Sequence, residues 1–297
     1  MGCLNSKTLS SKGLVKFVEK INAAEIINRE HHEIICKKNS ETSSALVLTE
    51  NYQKSQPAEE DLCFEHTRVI ISDETRSFIP TNASYIDGFK DPHAYIATRT
   101  PDSKSTTEKF WRMIWRHKTK IIVMLDRPEE NWYGASFWNP DTESSLQFGK
   151  LNIKKFKSHQ FLSSFDILKV EMTHEDGGTL QVNYFLFKGW QRHDKVPLES
   201  ELIDFIFMIR LYNQSAVTPE SLKGFKSPIV IHCSDGLQRS MVFCAVDIGI
   251  SAVLEKDKVN LYSIVSKLRK ERYNCLHDVL DYSLCYLVLC YYCVFYM

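Results

Sequence analysis

The chain is expected to fold as one α/β (α+β) domain around a large twisted mixed sheet flanked by helices. Three observations predict this. From residue 62 onward, short β-type runs alternate with stretches of helical periodicity, the pattern of helices packed on a sheet. Two of the short runs, Lys120–Leu125 and Ser227–Cys233, are nearly continuous in apolar residues, as strands covered on both faces must be. No repeat and no linker interrupts the 297 residues, of which 43% are hydrophobic, enough for one extensive core.

Residues 1–14 are assigned to a polar, flexible start and 15–297 to the domain, although helical periodicity (Leu14, Phe17, Val18, Ile21, Ile26, Ile27) already runs through 11–38. Residues 39–61 read as surface loop. Arg68–Ile71 and Ala94–Thr98 read as strands, and Thr106–His117 as an amphipathic helix through Phe110, Trp111, Ile114 and Trp115. Phe161–Met172 and Thr179–Lys188 alternate as a strand pair around the turn Glu175-Asp-Gly-Gly178. Glu199–Tyr212 reads as a helix, and further helices are expected over 239–254, 259–272 and 279–296. The apolar end from Tyr282 is shorter than the about 20 residues a bilayer requires, so it is read as a buried helix.

Lys+Arg and Asp+Glu both number 37. That balance suggests no global basic surface for nucleic acid and says nothing against a local cationic pocket. The nine cysteines are scattered, and no secretory leader precedes them, which points to reduced thiols in a cytosolic compartment. Cys290 and Cys293 form a C-x-x-C without a second ligand pair, so neither a metal nor a redox role is assigned there.

The chemistry lies in Ile229-Val-Ile-His-Cys-Ser-Asp-Gly-Leu-Gln-Arg-Ser240. An apolar strand ends at His232, and six residues lead from Cys233 to Arg239, where a helix begins. Such a loop (Ser234, Asp235, Gly236, Leu237, Gln238) turns its N–H groups inward, and the helix N-terminus adds partial positive charge. Gly236 permits the tight turn. The Cys233 thiol is expected to have a lowered pKa from those groups and from Arg239. Arg239 offers a planar fork for two phosphoryl oxygens, and Ser240 a hydroxyl for the sulfur. Together they suit nucleophilic attack on phosphorus through a phosphocysteine, with no metal or cofactor. A structural cysteine buried at a strand end is the plainer alternative. The accompanying Gly, Arg and Ser speak against it.

His232-Cys-Ser-Asp-Gly-Leu-Gln-Arg-Ser240 resembles the His-Cys-x5-Arg-Ser/Thr signature of protein tyrosine phosphatases. Cys63-Phe-Glu-His-Thr-Arg-Val69, Thr81-Asn-Ala-Ser-Tyr-Ile86, Tyr95-Ile-Ala-Thr98, Phe110-Trp-Arg-Met-Ile-Trp115 and Phe243-Cys-Ala-Val-Asp-Ile248 resemble further motifs of that family, in order, over about 15–297. The chain is most similar to the phosphatase-like proteins of polydnaviruses, which parasitoid wasps deliver into caterpillars. The resemblance implies phosphotyrosine proteins of a host cell as partners and the host cytoplasm as location.

Several positions depart from the family. Its acid loop reads Trp-Pro-Asp, where this chain has Trp190-Gln-Arg-His-Asp-Lys-Val-Pro197. Arg192 stands at the acid's place, and Asp194 is the candidate replacement, with His193 beside it. Loss of a general acid costs about 10²–10⁴ in rate. The substrate-stacking tyrosine falls on Ala58, and the acid that binds substrate backbone on Glu60. The water-positioning glutamine falls on His277 and a second glutamine on Asp281. Asp235 brings negative charge to the cradle. Glu130 matches the acid that braces the loop arginine.

Met1-Gly-Cys-Leu-Asn-Ser6 fits an N-myristoylation pattern at Gly2. Cys3 is a palmitoylation candidate, and Lys7, Lys12 and Lys16 would favour an anionic membrane surface. An ordinary flexible start is the alternative. Three functions remain open from sequence: a slow tyrosine phosphatase, a catalytically impaired protein that binds and shields phosphotyrosine targets, and a scaffold that uses only the fold.

Overall fold

A computed structural model describes residues 8–37, 46–48, 62–72, 78–126, 143–156, 159–190, 196–215 and 226–297. In chain order, β1 (Leu9–Ser10) leads into helices α1 (Ser11–Val18) and α2 (Ala23–Cys36). β2 (Leu46–Leu48), β3 (Leu62–Phe64), β4 (Arg68–Ser72), β5 (Phe78–Ile86) and β6 (Tyr95–Arg99) follow, then α3 (Lys104–His117) and β7 (Ile121–Met124). β8 (Ser144–Phe148), β9 (Leu151–Lys155), β10 (His159–Leu162), β11 (Phe165–His174) and β12 (Thr179–Phe187) precede α4 (Glu199–Ser215). β13 (Ile229–Cys233) feeds α5 (Arg239–Lys256), followed by β14 (Lys258–Val259), α6 (Leu261–Glu271) and α7 (Val279–Phe295).

The main sheet runs β4-β5-β6-β13-β7-β12-β11-β9-β8, with β10 beside β11. β13 lies between β6 and β7, parallel to both. β12 is parallel to β7, and the flanking pairs are antiparallel. Because side chains alternate along a strand, each central strand feeds two cores. Ile121 and Val123 of β7, and Ile229, Ile231 and Cys233 of β13, enter the core beneath α1, α2, α4, α5, α6 and α7. Ile122, Met124 and Val230 enter the opposite core, beneath Phe110, Trp111, Met113 and Ile114 of α3. The alternation places the Cys233 side chain on the face of α5, the helix that follows it.

Local signals mark the helix starts. Ser103 and Thr106 form a capping box at α3; Ser10, Asn260 and Asp278 cap α1, α6 and α7 with their side chains. Such caps satisfy N–H groups that the first helical turn leaves unpaired. α5 is buried along most of its length, the central rod on which α6, α7 and β13 pack.

Three expectations are corrected. The flexible start does not reach residue 14: Leu9 and Ser10 pair with Val259 and Lys258, and Leu14 is buried in α1. The periodicity over 11–38 resolves into two helices. Ile21 falls in the turn between them and is fully exposed, because that turn takes it out of the apolar stripe. The strand expected over Phe161–Met172 is split by a turn at Ser163-Ser164 into β10 and β11, which pair antiparallel. The turn at 175–178 forms as expected, with Gly177 and Gly178 at φ +101° and +99°.

A buried ionic cluster ties α4 to α5 and β6. Arg210 Nε donates to Asp247 Oδ1 at 2.6 Å, and the Tyr95 hydroxyl donates to the other carboxylate oxygen. Asp247→Ala takes the carboxylate from Arg210 Nε and from the buried phenol, while Arg210 Nη2 keeps the backbone oxygen of residue 247 and Ser251 Oγ. It is expected to lower unfolding free energy by about 3 kcal/mol, read from urea denaturation midpoints.

Candidate active site

The loop after β13 is shaped by a backbone contact. Gly236 has φ +68°, and a Cβ there would sit 2.6 Å from Arg99 N and Thr98 C. Only glycine fits this close approach. The loop is pinned from three sides: Thr100 N donates to Cys233 O at 2.8 Å, Leu276 N donates to Leu237 O at 3.1 Å, and Arg272 Nε donates to Gly236 O at 3.3 Å. Arg272 is fully buried and also donates to Cys63 Sγ and Ser84 Oγ at 2.8 and 3.2 Å.

The structure brings Cys233, Arg239 and Ser240 together. Ser240 Oγ donates to Cys233 Sγ at 3.0 Å. Arg239 Nη1 donates to Asp126 Oδ1 at 3.0 Å, and its guanidinium lies 5.9 Å from the Trp190 ring centroid. Asp126 is 2% exposed and anchors a chain of hydrogen bonds. Thr100 Oγ1 donates to Asp126 Oδ2 at 2.9 Å, so it accepts from His232 Nδ1 at 2.8 Å. His232 Nε2 then accepts from the Tyr184 hydroxyl at 2.6 Å. That order requires a neutral imidazole with its proton on Nδ1. Burial supplies it, pushing His232 down to about 3. The Tyr184 phenol is pushed up by burial and by Asp126, and keeps its proton to donate.

Asp235 changes the cradle. Its Oδ1 accepts from Leu237 N at 2.8 Å and Gln238 N at 3.2 Å, and lies 3.2 Å from Cys233 Sγ as acceptor of the thiol. An internal carboxylate thus occupies two loop N–H groups and stands on the sulfur. The expected lowering of the Cys233 pKa is overturned. Burial pushes the thiol well up, the Asp235 and Asp126 carboxylates push it further, and the Ser240 hydroxyl and N–H pull only partly back.

At the mouth, the Gln238 carboxamide meets the His277 ring, with Nε2 to Nε2 at 3.1 Å. Among the described residues the Gln238 carbonyl oxygen is buried without a partner. The Asp281 carboxyl is pushed up to about 6 by burial, then by Asp278 and Asp235, against Arg239 and His277. Ser234 sits exposed on the loop and Leu237 is buried beneath it. Gly2, Cys3, Ala58, Glu60, Glu130, Arg192, His193 and Asp194 lie outside the described residues. The acid seen on Arg239 is Asp126, which sequence reasoning missed, as it missed Thr100, Tyr184 and Arg272. Asp126 had one signal: an acid directly after an apolar parallel strand, where α/β sheets place their ligand sites.

Two measurements probe these charges. Asp126→Asn removes the charge that orients Arg239, and kcat/KM is expected to fall about 100-fold. The pH of half-maximal Cys233 alkylation should instead drop, because one of two carboxylates raising the thiol is gone. A fall in both rate and alkylation at every pH would contradict this division. Asp281 is neutral below about pH 6 and charged above it. Competitive inhibition by sulfate, doubly charged throughout, should weaken as pH rises from about 5 to 7, and Asp281→Asn should flatten that dependence.

A model of the protein-tyrosine phosphatase family matches residues 51–291. The chain is similar to tyrosine phosphatase H2 of Microplitis demolitor bracovirus, at 28% identity over 95% of this chain and 88% of the relative. It is similar to tyrosine phosphatase-like protein J1 of the same virus, at 28% over 96% of each. It is also similar to tyrosine-protein phosphatase non-receptor type 9 of Rattus norvegicus, at 29% over 75% of this chain and 39% of that protein. With the nucleophile, arginine and hydroxyl assembled in one loop and most of its length matched, the chain belongs to the protein-tyrosine phosphatase family.

Proposed function

We propose that the chain hydrolyses phosphotyrosine on host-cell proteins slowly, through a phosphocysteine, because Asp235 must first yield the cradle. The observation that carries this is the Asp235 carboxylate 3.2 Å from Cys233 Sγ and bonded to the N–H groups of Leu237 and Gln238. An arriving phosphoryl group displaces that carboxylate. With the repelling carboxylate moved off the sulfur, the thiol loses its proton to water, and the Ser240 hydroxyl and the freed loop N–H groups hold the thiolate. The sulfur attacks phosphorus while Arg239, held by Asp126, takes up charge on the phosphoryl oxygens. The bond from phosphorus to the phenolic oxygen breaks, and the phenolate takes a proton from an acid, for which Asp194 remains the candidate. Water then attacks phosphorus, giving its proton back to that acid, and the sulfur–phosphorus bond breaks to release inorganic phosphate and the Cys233 thiolate.

The same carboxylate favours a second reading, in which the protein binds phosphotyrosine targets and shields them with little turnover. In either case the tyrosine phosphatases of a bracovirus among its relatives support host signalling proteins as targets. We further propose acylation at Gly2, with Cys3 as second acceptor, as a route to a membrane surface.

Single-turnover kinetics with a phosphotyrosine peptide and with an aryl phosphate of good leaving group decide between the readings. Cys233→Ser is expected to abolish phosphate release from both. Asp235→Ala is expected to raise the thiolate fraction about tenfold or more at fixed pH, to speed the burst, and to lower the alkylation midpoint. A burst on the aryl phosphate with no peptide turnover, in both wild type and Asp235→Ala, selects the shielding reading. An unchanged burst and midpoint in Asp235→Ala would sink the role given to Asp235.

A further inference from the structure

The chain enters the described structure at Thr8, beside β14, at the end of α5 remote from the catalytic loop. Lysines collect there. Lys12, Lys16 and Lys20 are exposed at spacings of four, two on α1 and one just beyond it, and so share one side. Lys256 and Lys258 are exposed at the end of α5, and Lys12 and Lys258 both act on the Asp257 carboxylate. Three acids lie among them. Glu255 is paired with Lys90, Asp257 accepts from Ser11 N, and Glu19 adjoins Cys290 of α7.

The adjoining stripe of α7 is apolar and bare. α1 packs on α7 through Phe17 and Tyr286, with rings 5.4 Å apart. Beside that contact Leu287, Val294 and Phe295 are 42%, 51% and 65% exposed. Ile21, after Lys20, and Leu254, near Lys256, are exposed as well. Asp204 accepts from the Tyr296 hydroxyl at the far end of the stripe, and the lysines lie on the α1 side; an apolar stripe bordered on one side by lysines is a surface that seats at the boundary of an anionic bilayer.

We propose that this α1–α7 face docks on an anionic membrane surface and holds the catalytic loop away from it. The orientation follows from α5. Its 18 residues make a rod about 27 Å long, with Arg239 at one end and Lys256 at the other. A membrane at the lysine end leaves the cradle open to proteins in solution. The proposal builds on the acylation reading in one respect: a single acyl chain anchors only marginally, and this face supplies the second signal.

The test uses the full chain made without acylation, floated with vesicles of phosphatidylcholine alone or with about one third phosphatidylserine. Binding is expected only with phosphatidylserine, and should weaken as salt shortens the Debye length. Each lysine is expected to contribute about fivefold, so the triple variant Lys12→Gln, Lys16→Gln, Lys258→Gln loses on the order of a hundredfold. Leu287→Ser with Phe295→Ser should also weaken binding, with the thermal midpoint of both variants kept as a folding control. Equal binding to both vesicles, no binding to either, or full binding by the folded triple variant overturns the proposal. So does a concentration-dependent dimer that Leu287→Ser breaks in a chain that ignores vesicles, since a second copy then covers the face. Acylation is read separately, by labelling with a myristate analogue that Gly2→Ala should lose; that result leaves the unacylated binding data unaffected.

Discussion

The burial of Asp126 is the constraint around which the site is organised. A carboxylate at 2% exposure is tolerated only when charge and hydrogen bonds replace its lost water. Arg239 supplies the charge, and Thr100 the hydrogen bond. Each partner recruits others. Thr100 orders the His232 imidazole, which orders Tyr184. The chain crosses from β12 through β13 to the ends of β6 and β7, so the strands that hold the sheet together also hold the loop arginine. A neutral His232 is as much part of this as the charges are, because a protonated ring would have no lone pair for Tyr184.

Against that support stands Asp235. The loop that presents N–H groups to an oxyanion presents them equally to a carboxylate two residues from the nucleophile. With Asp235 bonded to Leu237 and Gln238, substrate competes with an anion already in place. The competitor lies within the loop, so its effective concentration is high, and it also suppresses the thiolate. The two opposing influences on Cys233, the Ser240 hydroxyl that favours charge and the two carboxylates that oppose it, define how this member of the family differs from one with a small residue at position 235.

α5 separates two chemistries. Its N-terminal end faces the oxyanion loop, where partial positive charge belongs. Its C-terminal end carries Lys256, with Lys258 just beyond, where cations oppose the negative end of the helix dipole. The same basic end sits beside the first described residues of the chain and the bare stripe of α7. The helix that fixes the catalytic arginine therefore also sets the distance between the site and the lysine-rich face.

Sequence alone determined the central strands, the long helices and the loop. Period-two and 3.6-residue patterns are local, and Cys233, Gly236, Arg239 and Ser240 sit at spacings that a strand, a tight turn and a helix start require. It misjudged the stretch at 9–14, where pairing to β14 orders residues that look merely polar, and the exposure of Ile21, which depends on where one helix stops. Thr100, Tyr184 and Arg272 were illegible because each contacts the loop or its support from across more than thirty residues of chain, and nothing local distinguishes Arg272 from the charged residues before it; Asp126 offered only its place directly after an apolar strand. Whether the thiol is low or high in pKa was likewise undecidable from the motif. The motif names the groups around the sulfur, but only the tertiary structure places two carboxylates near it and buries it, and both effects act through distance and water exclusion, which sequence does not record.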